Sequence, residues 1–395
     1  MVFDAYDLAD PSRYLSQLLA HAHQLGASDV HLESTHGALR VRLRVDGLLH
    51  EQPGPAPAIG EAVLSRIKIL ANLDIAEWRL PQDGELAGHT LGKPQCSYRI
   101  STLPTIYGEN LVVRVLDTQV QNLALDALGL QPEQAQQLRQ SLAEGHGLVM
   151  FTGPTGSGKT VSLYACLQSL NQSHLSLATI EDPTEIRLPG VTQVNIHERI
   201  GLTFAHALRA VLRQDPDVLM VGEIRDNDTA NMAMRAAQTG HLVLSTLHTR
   251  DAPSAWLRLL HMGVPAYQVV SGVRLIVAQR LLRRLCPHCR VPLGQAHPHG
   301  QALGLDLSAQ QQAFAPVGCA RCHQGYRGRV GVFQLMPVTH GLEQAVLQSA
   351  SARQLRQEAQ RQGVGTLREQ ARARVCEGLT SIDEALTQTP ADDPP

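Results

Sequence analysis

The chain has 395 residues, 43% of them hydrophobic, which is enough for two or three domains with sizeable cores. Its net charge of -2 argues against a strongly basic nucleic-acid-binding protein, so we expect no nucleic-acid partner. No apolar run approaches the roughly 20 residues that span a bilayer, and no secretory signal is visible. We therefore expect a cytoplasmic protein whose seven cysteines do not form structural disulfides.

The first part of the chain mixes helical and strand patterns. Residues 12–25 and 61–73 have apolar residues at helical spacing, and residues 111–116 read as a strand. Between them, apolar and arginine residues alternate over residues 39–45, and Asp46-Gly47 follows, which is typical of a β-hairpin. The pattern predicts a small α+β domain over residues 1–120.

The pattern then changes to short apolar runs that alternate with helical stretches. Buried strands between helices indicate a mostly parallel α/β sheet. We predict a linker over residues 121–140, an α/β core over 141–280, a cysteine-rich subdomain over 281–330 and a helical region over 331–388. The tail, 389–395, is expected to be disordered.

A phosphate-binding loop lies at the start of the predicted core. The sequence "GPTGSGKT" matches G-x-x-x-x-G-K-[ST], with an apolar strand before it and a helical pattern after it. Backbone N–H groups of such a loop and the helix N-terminus bind phosphates. We expect Lys159 to reach the β- and γ-phosphates of ATP and Thr160 to hold Mg²⁺. The predicted nucleotide-binding residues are Gly153, Pro154, Thr155, Gly156, Ser157, Gly158, Lys159 and Thr160.

Three more side chains follow predicted strands of the core. Glu181, Glu223 and His248 each come at or just after the end of an apolar run, and ligands of such sheets bind beyond the carboxyl ends of the strands. An ATPase usually has an aspartate next to its metal at this place, but Gly222 stands here and Glu223 is the first acid. We expect Glu223 to bind Mg²⁺ through water or to orient the attacking water. Glu181 is the alternative residue for orienting that water.

These stretches resemble the secretion ATPases of type II secretion systems and type IV pili. The resemblance rests on "GPTGSGKT", "TIEDPTE", "LRAVLRQDPDVLMVGEIRD" and "TGHLVLSTLHT", and in the first part on "ASDVHLE", "SRIKILANLDIAEWRLPQDGEL" and "RISTLPTIYGE". In that family the acidic strand ends in Gly-Glu, as it does here. Arginines of the N-terminal domain approach the nucleotide from the adjacent side, and the matching positions are Arg99 and Arg114. Arg225, in the core, also lies near the acids and could supply positive charge to the γ-phosphate. Its other interpretation is a simple ion pair with Asp226 or Asp228.

Two C-x-x-C pairs stand near the end of the chain. Cys286, Cys289, Cys319 and Cys322 supply four thiolates, which suits tetrahedral structural Zn²⁺. The loop between the pairs is longer than in common zinc ribbons. Four cysteines are typical of the assembly and secretion branch of the family and oppose a retraction motor.

The resemblance implies a RecA-like P-loop ATPase core with an N-terminal α+β (PAS-like) domain, a zinc-binding insertion and a C-terminal helical region. It implies a homohexamer that hydrolyses ATP at the bacterial inner membrane, bound to a platform protein, to assemble a pilus or pseudopilus. A retraction or conjugation-type motor is the alternative. A nucleic-acid translocase is a third, supported only by an arginine patch that otherwise reads as the solvated flank of the zinc site; the patch is Arg280, Arg283, Arg284 and Arg290.

Overall fold

A computed structural model describes residues 10–88, 96–117, 123–293, 299–305 and 312–392. The chain divides into two compact units, Met1–Gln121 and Asn122–Pro395. Within the described ranges, no helix combines the length and the apolar character that crossing a membrane requires.

The first unit is a six-stranded sheet with two helices. Its elements are α1 (Pro11–Gln24), β1 (Asp29–Thr35), β2 (Ala38–Val45), β3 (Leu48–Gln52), α2 (Gly60–Leu70), β4 (Gln82–Ala87), β5 (Cys96–Thr105) and β6 (Gly108–Asp117). The strand order is β3-β2-β1-β6-β5-β4, and all neighbours are antiparallel. We call it the N-terminal sheet. The predicted hairpin is present as β2 and β3, with Asp46 and Gly47 at positive φ in the turn.

The N-terminal sheet has one apolar face and one charged face. Alternate residues of β2 are buried together with α1 and α2 in one core. On the other face, one cross-strand row runs through Arg44, Asp29, Arg114, Arg99 and Glu85, each directly opposite the next. Three of these four cross-strand pairs join opposite charges, which is stabilising, whereas Arg114 and Arg99 place two positive charges opposite each other.

The second unit is built on a seven-stranded sheet, which we call the core sheet. Its strands are β7 (Gly147–Thr152), β8 (Leu177–Glu181), β9 (Val191–Asn195), β10 (Val218–Val221), β11 (Leu242–Leu247), β12 (Val273–Leu285) and β15 (Tyr326–Pro337). A separate two-stranded ribbon joins β13 (Val291–Pro292) to β14 (Phe314–Ala315). The helices are α3 (Pro132–Ala143), α4 (Lys159–Leu170), α5 (Phe204–Val211), α6 (Asn227–Gln238), α7 (Ala252–His261), α8 (Ala266–Gly272), α9 (His340–Leu347), α10 (Ala352–Arg361), α11 (Leu367–Cys376) and α12 (Ile382–Gln388).

The order of the core sheet is β15-β12-β7-β11-β10-β8-β9, with β15 the single antiparallel strand. Every residue of β7, β8, β10 and β11 is buried. Strands that are covered on both faces read as continuous apolar runs, which is the pattern that the sequence shows. The predicted α/β core with a mostly parallel sheet is confirmed.

Several predicted boundaries cut through structural elements. The boundaries at 280/281 and 330/331 fall inside β12 and β15, whose long antiparallel pairing carries both strands past the core. Helix α3 begins at Pro132, inside the predicted linker. The tail is packed at its start, because Thr389 is buried and Arg368 donates to the Thr389 carbonyl at 2.8 Å, so disorder from 389 is wrong for that residue.

Candidate functional site

The phosphate loop connects β7 to α4. Gly158 has φ 88° and precedes Lys159, the first residue of α4. A Cβ on Gly158 would lie 2.8 Å from Gln279 Nε2, and a Cβ on Gly153 would lie 2.5 Å from the Gln279 carbonyl oxygen. Only glycine fits both the backbone and the space at these positions. The loop thus lies against β12 on one side and leads into a helix N-terminus, as phosphate binding requires.

The polar groups of this loop fit an anionic ligand. The Lys159 ammonium donates to the carbonyls of Gly153 and Pro154, at 2.8 and 2.9 Å. Burial lowers the pKa of Lys159 to about 8, against an upward effect of the Glu223 charge. The buried Ser157 hydroxyl has no hydrogen-bond partner among the described residues. A phosphate group would stabilise the buried ammonium and accept from the hydroxyl.

Glu223 and His248 lie at the same edge of the core sheet. They follow β10 and β11, and β11 is the direct neighbour of the P-loop strand β7. The His248 Nε2 lies 3.6 Å from the Glu223 carboxylate. Burial lowers the pKa of His248, and the Lys159 charge lowers it further. The imidazole is therefore neutral at neutral pH and can accept or donate one hydrogen bond beside the acid.

Arg225 joins two acids at this edge. Its guanidinium donates to Glu223 at 2.5 Å and lies 3.9 Å from Asp182, which follows β8. Among the described residues, the ion pairs of Arg225 are with Glu223 and Asp182 and not, as the sequence suggested, with Asp226 or Asp228, and the Asp226 side chain caps α6. Arg225 therefore holds the Glu223 carboxylate in place through a charged hydrogen bond.

Glu181 is in a different environment from Glu223. Its carboxylate is buried and accepts from Thr179 at 2.6 Å, from Gln193 at 3.2 Å and from the Tyr164 hydroxyl. Both carboxylate oxygens are engaged by protein donors, whereas Glu223 is partly exposed beside Lys159. Burial of a carboxylate with three donors is typical of a fixed structural anion.

Sequence reasoning missed three residues around the phosphate loop. They are Tyr164, Gln279 and Arg280. The Gln279 side chain accepts from Ser162 of α4 at 2.8 Å, and the Arg280 guanidinium is buried beside Gly153 and donates to the carbonyls of Gln279 and Arg250. Gln279 and Arg280 lie on β12, more than 100 positions from the loop, and become its neighbours only in the folded sheet. Tyr164 lies within α4, where a buried tyrosine reads as an ordinary core residue.

The four cysteines of the two C-x-x-C pairs come together at the end of β12 and β15. The Sγ–Sγ distances are 3.9 Å for Cys286–Cys319, 3.7 Å for Cys289–Cys322 and 3.6 Å for Cys319–Cys322. Tetrahedral Zn²⁺ with sulfur ligands at about 2.3 Å separates its sulfurs by about 3.8 Å. The cluster is therefore compatible with zinc.

The arginine patch near these cysteines does not form the predicted solvated flank. Arg280 is buried against the phosphate loop, and Arg283 donates to Glu384 of α12 at 2.6 and 2.8 Å while stacking on Tyr326. Arg290 stacks on Phe314. Only Arg284 is exposed among the four. Arg283 and Arg290 join the four-cysteine segment, residues 286–322, to the C-terminal helical region, because Arg283 pairs with Glu384 and Arg290 donates to the Gly378 carbonyl.

Arg99 and Arg114 lie directly opposite each other on β5 and β6. Arg114 donates to Asp29 at 2.9 Å, while more than half of its side chain is exposed. Both belong to the charged face of the N-terminal sheet. Arg99 is partly buried there and Arg114 is exposed.

Comparison with known proteins agrees with this geometry. The family described as "Type II/IV secretion system protein" (T2SSE) matches residues 4–387. The chain belongs to this family. The predicted resemblance is confirmed.

The similar curated proteins are named as pilus and secretion proteins. "Type IV pilus assembly ATPase PilB" of Acinetobacter baylyi is 43% identical over 382 residues, which cover 96% of this chain and 66% of PilB. "Protein transport protein HofB homolog" of Escherichia coli is 45% identical, over 94% of this chain and 80% of that protein. "Type II secretion system protein E" of Pseudomonas aeruginosa is 41% identical, over 95% and 75%. The chain thus spans about two thirds of PilB and more of the other two.

Solved structures share the fold. The pilus retraction motor PilT with bound ADP has a TM-score of 0.63 at 24% identity, covering 96% of this chain and 97% of PilT. The Legionella pneumophila ATPase DotB has a TM-score of 0.70 at 18% identity, over 98% and 97%. At these identities the likeness supports the architecture.

Proposed function

We propose that this chain is the ATPase motor of a type IV pilus assembly or type II secretion machine. The observation that carries the proposal is the meeting of Lys159, Glu223 and His248 at one edge of the core sheet, in a chain that belongs to the secretion ATPase family. ATP would bind at the phosphate loop and be hydrolysed to ADP and phosphate.

Each residue at this edge has a distinct role. Lys159 and the loop N–H groups would hold the phosphates, and Thr160 and Glu223 would hold Mg²⁺, whose charge would offset that of the phosphates. Glu223 is the first candidate for orienting the attacking water, because its carboxylate is partly exposed and fixed by Arg225. His248 lies beside it as a neutral hydrogen-bonding group. Glu181 anchors the neighbouring strand end.

The motor works as a homohexamer in this proposal. Arg99 and Arg114 of a neighbouring subunit supply positive charge to the γ-phosphate, which is supported by their opposite positions on the charged face and by the exposure of Arg114. A platform protein of the machine holds the hexamer at the cytoplasmic side of the inner membrane. The four cysteines bind one structural Zn²⁺.

Assembly or secretion is favoured over retraction. The similar curated proteins above are named for pilus assembly or secretion, and the four-cysteine cluster fits that branch. A nucleic-acid translocase has lost its single support, since three of the four patch arginines are engaged within the protein.

Nucleotide turnover by the purified chain tests the proposal. The parent should hydrolyse ATP in the presence of Mg²⁺, and Lys159→Ala should lose both tight binding and turnover because it removes the buried ammonium. Arg284→Ala, a change at the exposed arginine of the patch, serves as the control and should leave turnover unchanged. A parent chain without ATP turnover as an oligomer would contradict the proposal.

A further inference from the structure

The hydroxyl of Tyr164 lies where α4 meets the segment that follows β8. Tyr164 is fully buried. Its hydroxyl donates to the Glu181 carboxylate and accepts from the backbone N–H groups of Glu185 and Ile186, both at 3.2 Å. A single hydroxyl group thus has three partners, all on the acidic segment at the end of β8.

Tyr164 is the one donor to Glu181 that comes from the P-loop helix. The other two, Thr179 and Gln193, lie on β8 and β9, next to Glu181 itself. The helix that carries Tyr164 begins at Lys159. The phenol therefore connects the phosphate-binding element to the acidic segment through a buried hydrogen bond.

The acidic segment leads directly to the catalytic acid. Asp182 follows Glu181, and its carboxylate lies 3.9 Å from Arg225. Arg225 in turn donates to Glu223. Contacts therefore run without a break from Tyr164, through residues 181–186 and Arg225, to Glu223.

The protonation of Tyr164 suits this position. Burial raises its pKa well above the usual range, and the neighbouring Glu181 charge raises it further. The phenol therefore keeps its proton at neutral pH and stays a donor to the carboxylate.

We propose that Tyr164 is a positioning residue for ATP hydrolysis. Its hydroxyl fixes Glu181 and the segment 182–186 against the P-loop helix, and so keeps Asp182, Arg225 and Glu223 aligned with the phosphates. The inference rests on the proposed ATPase function and adds a residue that no motif of the sequence singles out.

Tyr164→Phe tests the inference, because it keeps the ring and removes the three hydrogen bonds. We expect kcat to fall about ten- to hundredfold, since a small misplacement of catalytic groups costs that much. The ATP dissociation constant should stay within about twofold, because the phosphate loop itself keeps its contacts. Tyr326→Phe is the matched control. It removes a buried hydroxyl that bonds Ser381 at 2.7 Å, next to the four-cysteine segment.

A fall in kcat with an unchanged ATP dissociation constant distinguishes a positioning role from a merely structural one. Loss of buried hydrogen bonds, three in Tyr164→Phe and one in Tyr326→Phe, should lower the melting temperature of both variants, but only Tyr164→Phe should lower kcat. Equal kcat in the parent and Tyr164→Phe would overturn the inference. So would a parallel loss of kcat in Tyr326→Phe.

A double variant tests the route through Glu181. If Tyr164 acts through that carboxylate, Tyr164→Phe combined with Glu181→Gln should turn over ATP about as slowly as the slower single variant. Multiplied losses would contradict the route. If Tyr164→Phe does not fold, Glu181→Gln alone must show the same split, with reduced kcat and retained ATP binding. An inactive parent would count against the ATPase proposal, whereas an active parent with an unchanged Tyr164→Phe counts only against this inference.

Discussion

In the N-terminal sheet charged side chains lie across one face, whereas in the core sheet they lie at the ends of the strands. The row from Arg44 to Glu85 crosses five antiparallel strands on the charged face. The parallel strands of the core are buried on both faces and leave polar groups room only at their carboxyl ends. The polar groups of the core sheet therefore lie at its strand ends, whereas those of the N-terminal sheet lie on one face.

The two sheets also differ in how deeply their charged groups are buried. At the strand ends burial shifts the pKa values of Lys159 and His248 downward. Arg114, on the charged face of the other sheet, is mostly exposed while it pairs with Asp29. In the proposed function, the chemistry therefore occurs at the core edge, where burial shifts pKa values, and the N-terminal face supplies charge to a second subunit.

Mutation of a zinc ligand tests whether ATP binding at the edge of the core sheet depends on the four-cysteine segment. Cys286→Ser should abolish binding of about one zinc per chain, and structural zinc sites contribute about 10–16 kcal/mol in zinc-finger peptides. The four-cysteine segment should become sensitive to proteolysis. ATP should still bind, because the phosphate loop is held between β7 and α4. Elemental analysis and limited proteolysis check both, with Cys376→Ser, an exposed free thiol, as the control. Absence of zinc from reducing, chelator-free preparations would refute the metal site.

Arg114→Ala tests whether the charged face completes the site of a neighbour. An arginine supplied in trans is worth about 10³-fold or more in phosphoryl transfer. We expect normal ATP binding, slow turnover, and partial recovery when the variant is mixed with a Glu223→Gln chain. Arg44→Ala also removes a cation near Asp29 and should keep its activity.

Arg99→Ala sharpens the same test from the adjacent strand, since Arg99 lies opposite Arg114. Specific activity should rise with protein concentration if the site is completed by a second subunit. Parent-like turnover in both variants, with activity per chain independent of concentration, would exclude the N-terminal sheet from catalysis.

The pKa of Lys159 predicts a smaller effect of pH on binding. Burial lowers this pKa to about 8, so the ammonium loses its proton as pH rises through that value. Apparent ATP affinity should fall roughly tenfold between pH 7 and pH 9, because one pKa unit corresponds to a tenfold change. Isothermal titration measures it, and Lys159→Arg, which keeps its charge, should lack the trend. A flat profile for the parent would mean that the bound phosphates do not need this charge.

Local patterns in the sequence predicted the strand ends and the cysteine pairs. The P-loop, Glu223 and Cys286 stand within short motifs whose chemistry depends on neighbouring positions. Arg280 was missed because β12 is brought to the phosphate loop by sheet pairing between distant segments. Tyr164 was missed because its bond to Glu181 forms only when α4 packs against the end of β8. The boundaries at 280 and 330 fall within β12 and β15, since the arginine- and cysteine-rich composition begins and ends in the middle of strands.

ATP turnover by Glu223→Gln tests the central claim most directly, namely that phosphoryl chemistry occurs at the carboxyl edge of the core sheet. The change keeps the size of the side chain and removes its charge, so ATP should bind within about threefold of the parent while kcat falls by orders of magnitude. Glu198→Gln, which alters an exposed acid whose charge also reaches Arg225, should hydrolyse ATP normally. Parent-like turnover by Glu223→Gln would contradict the account and make Glu181 the first candidate for activating the water.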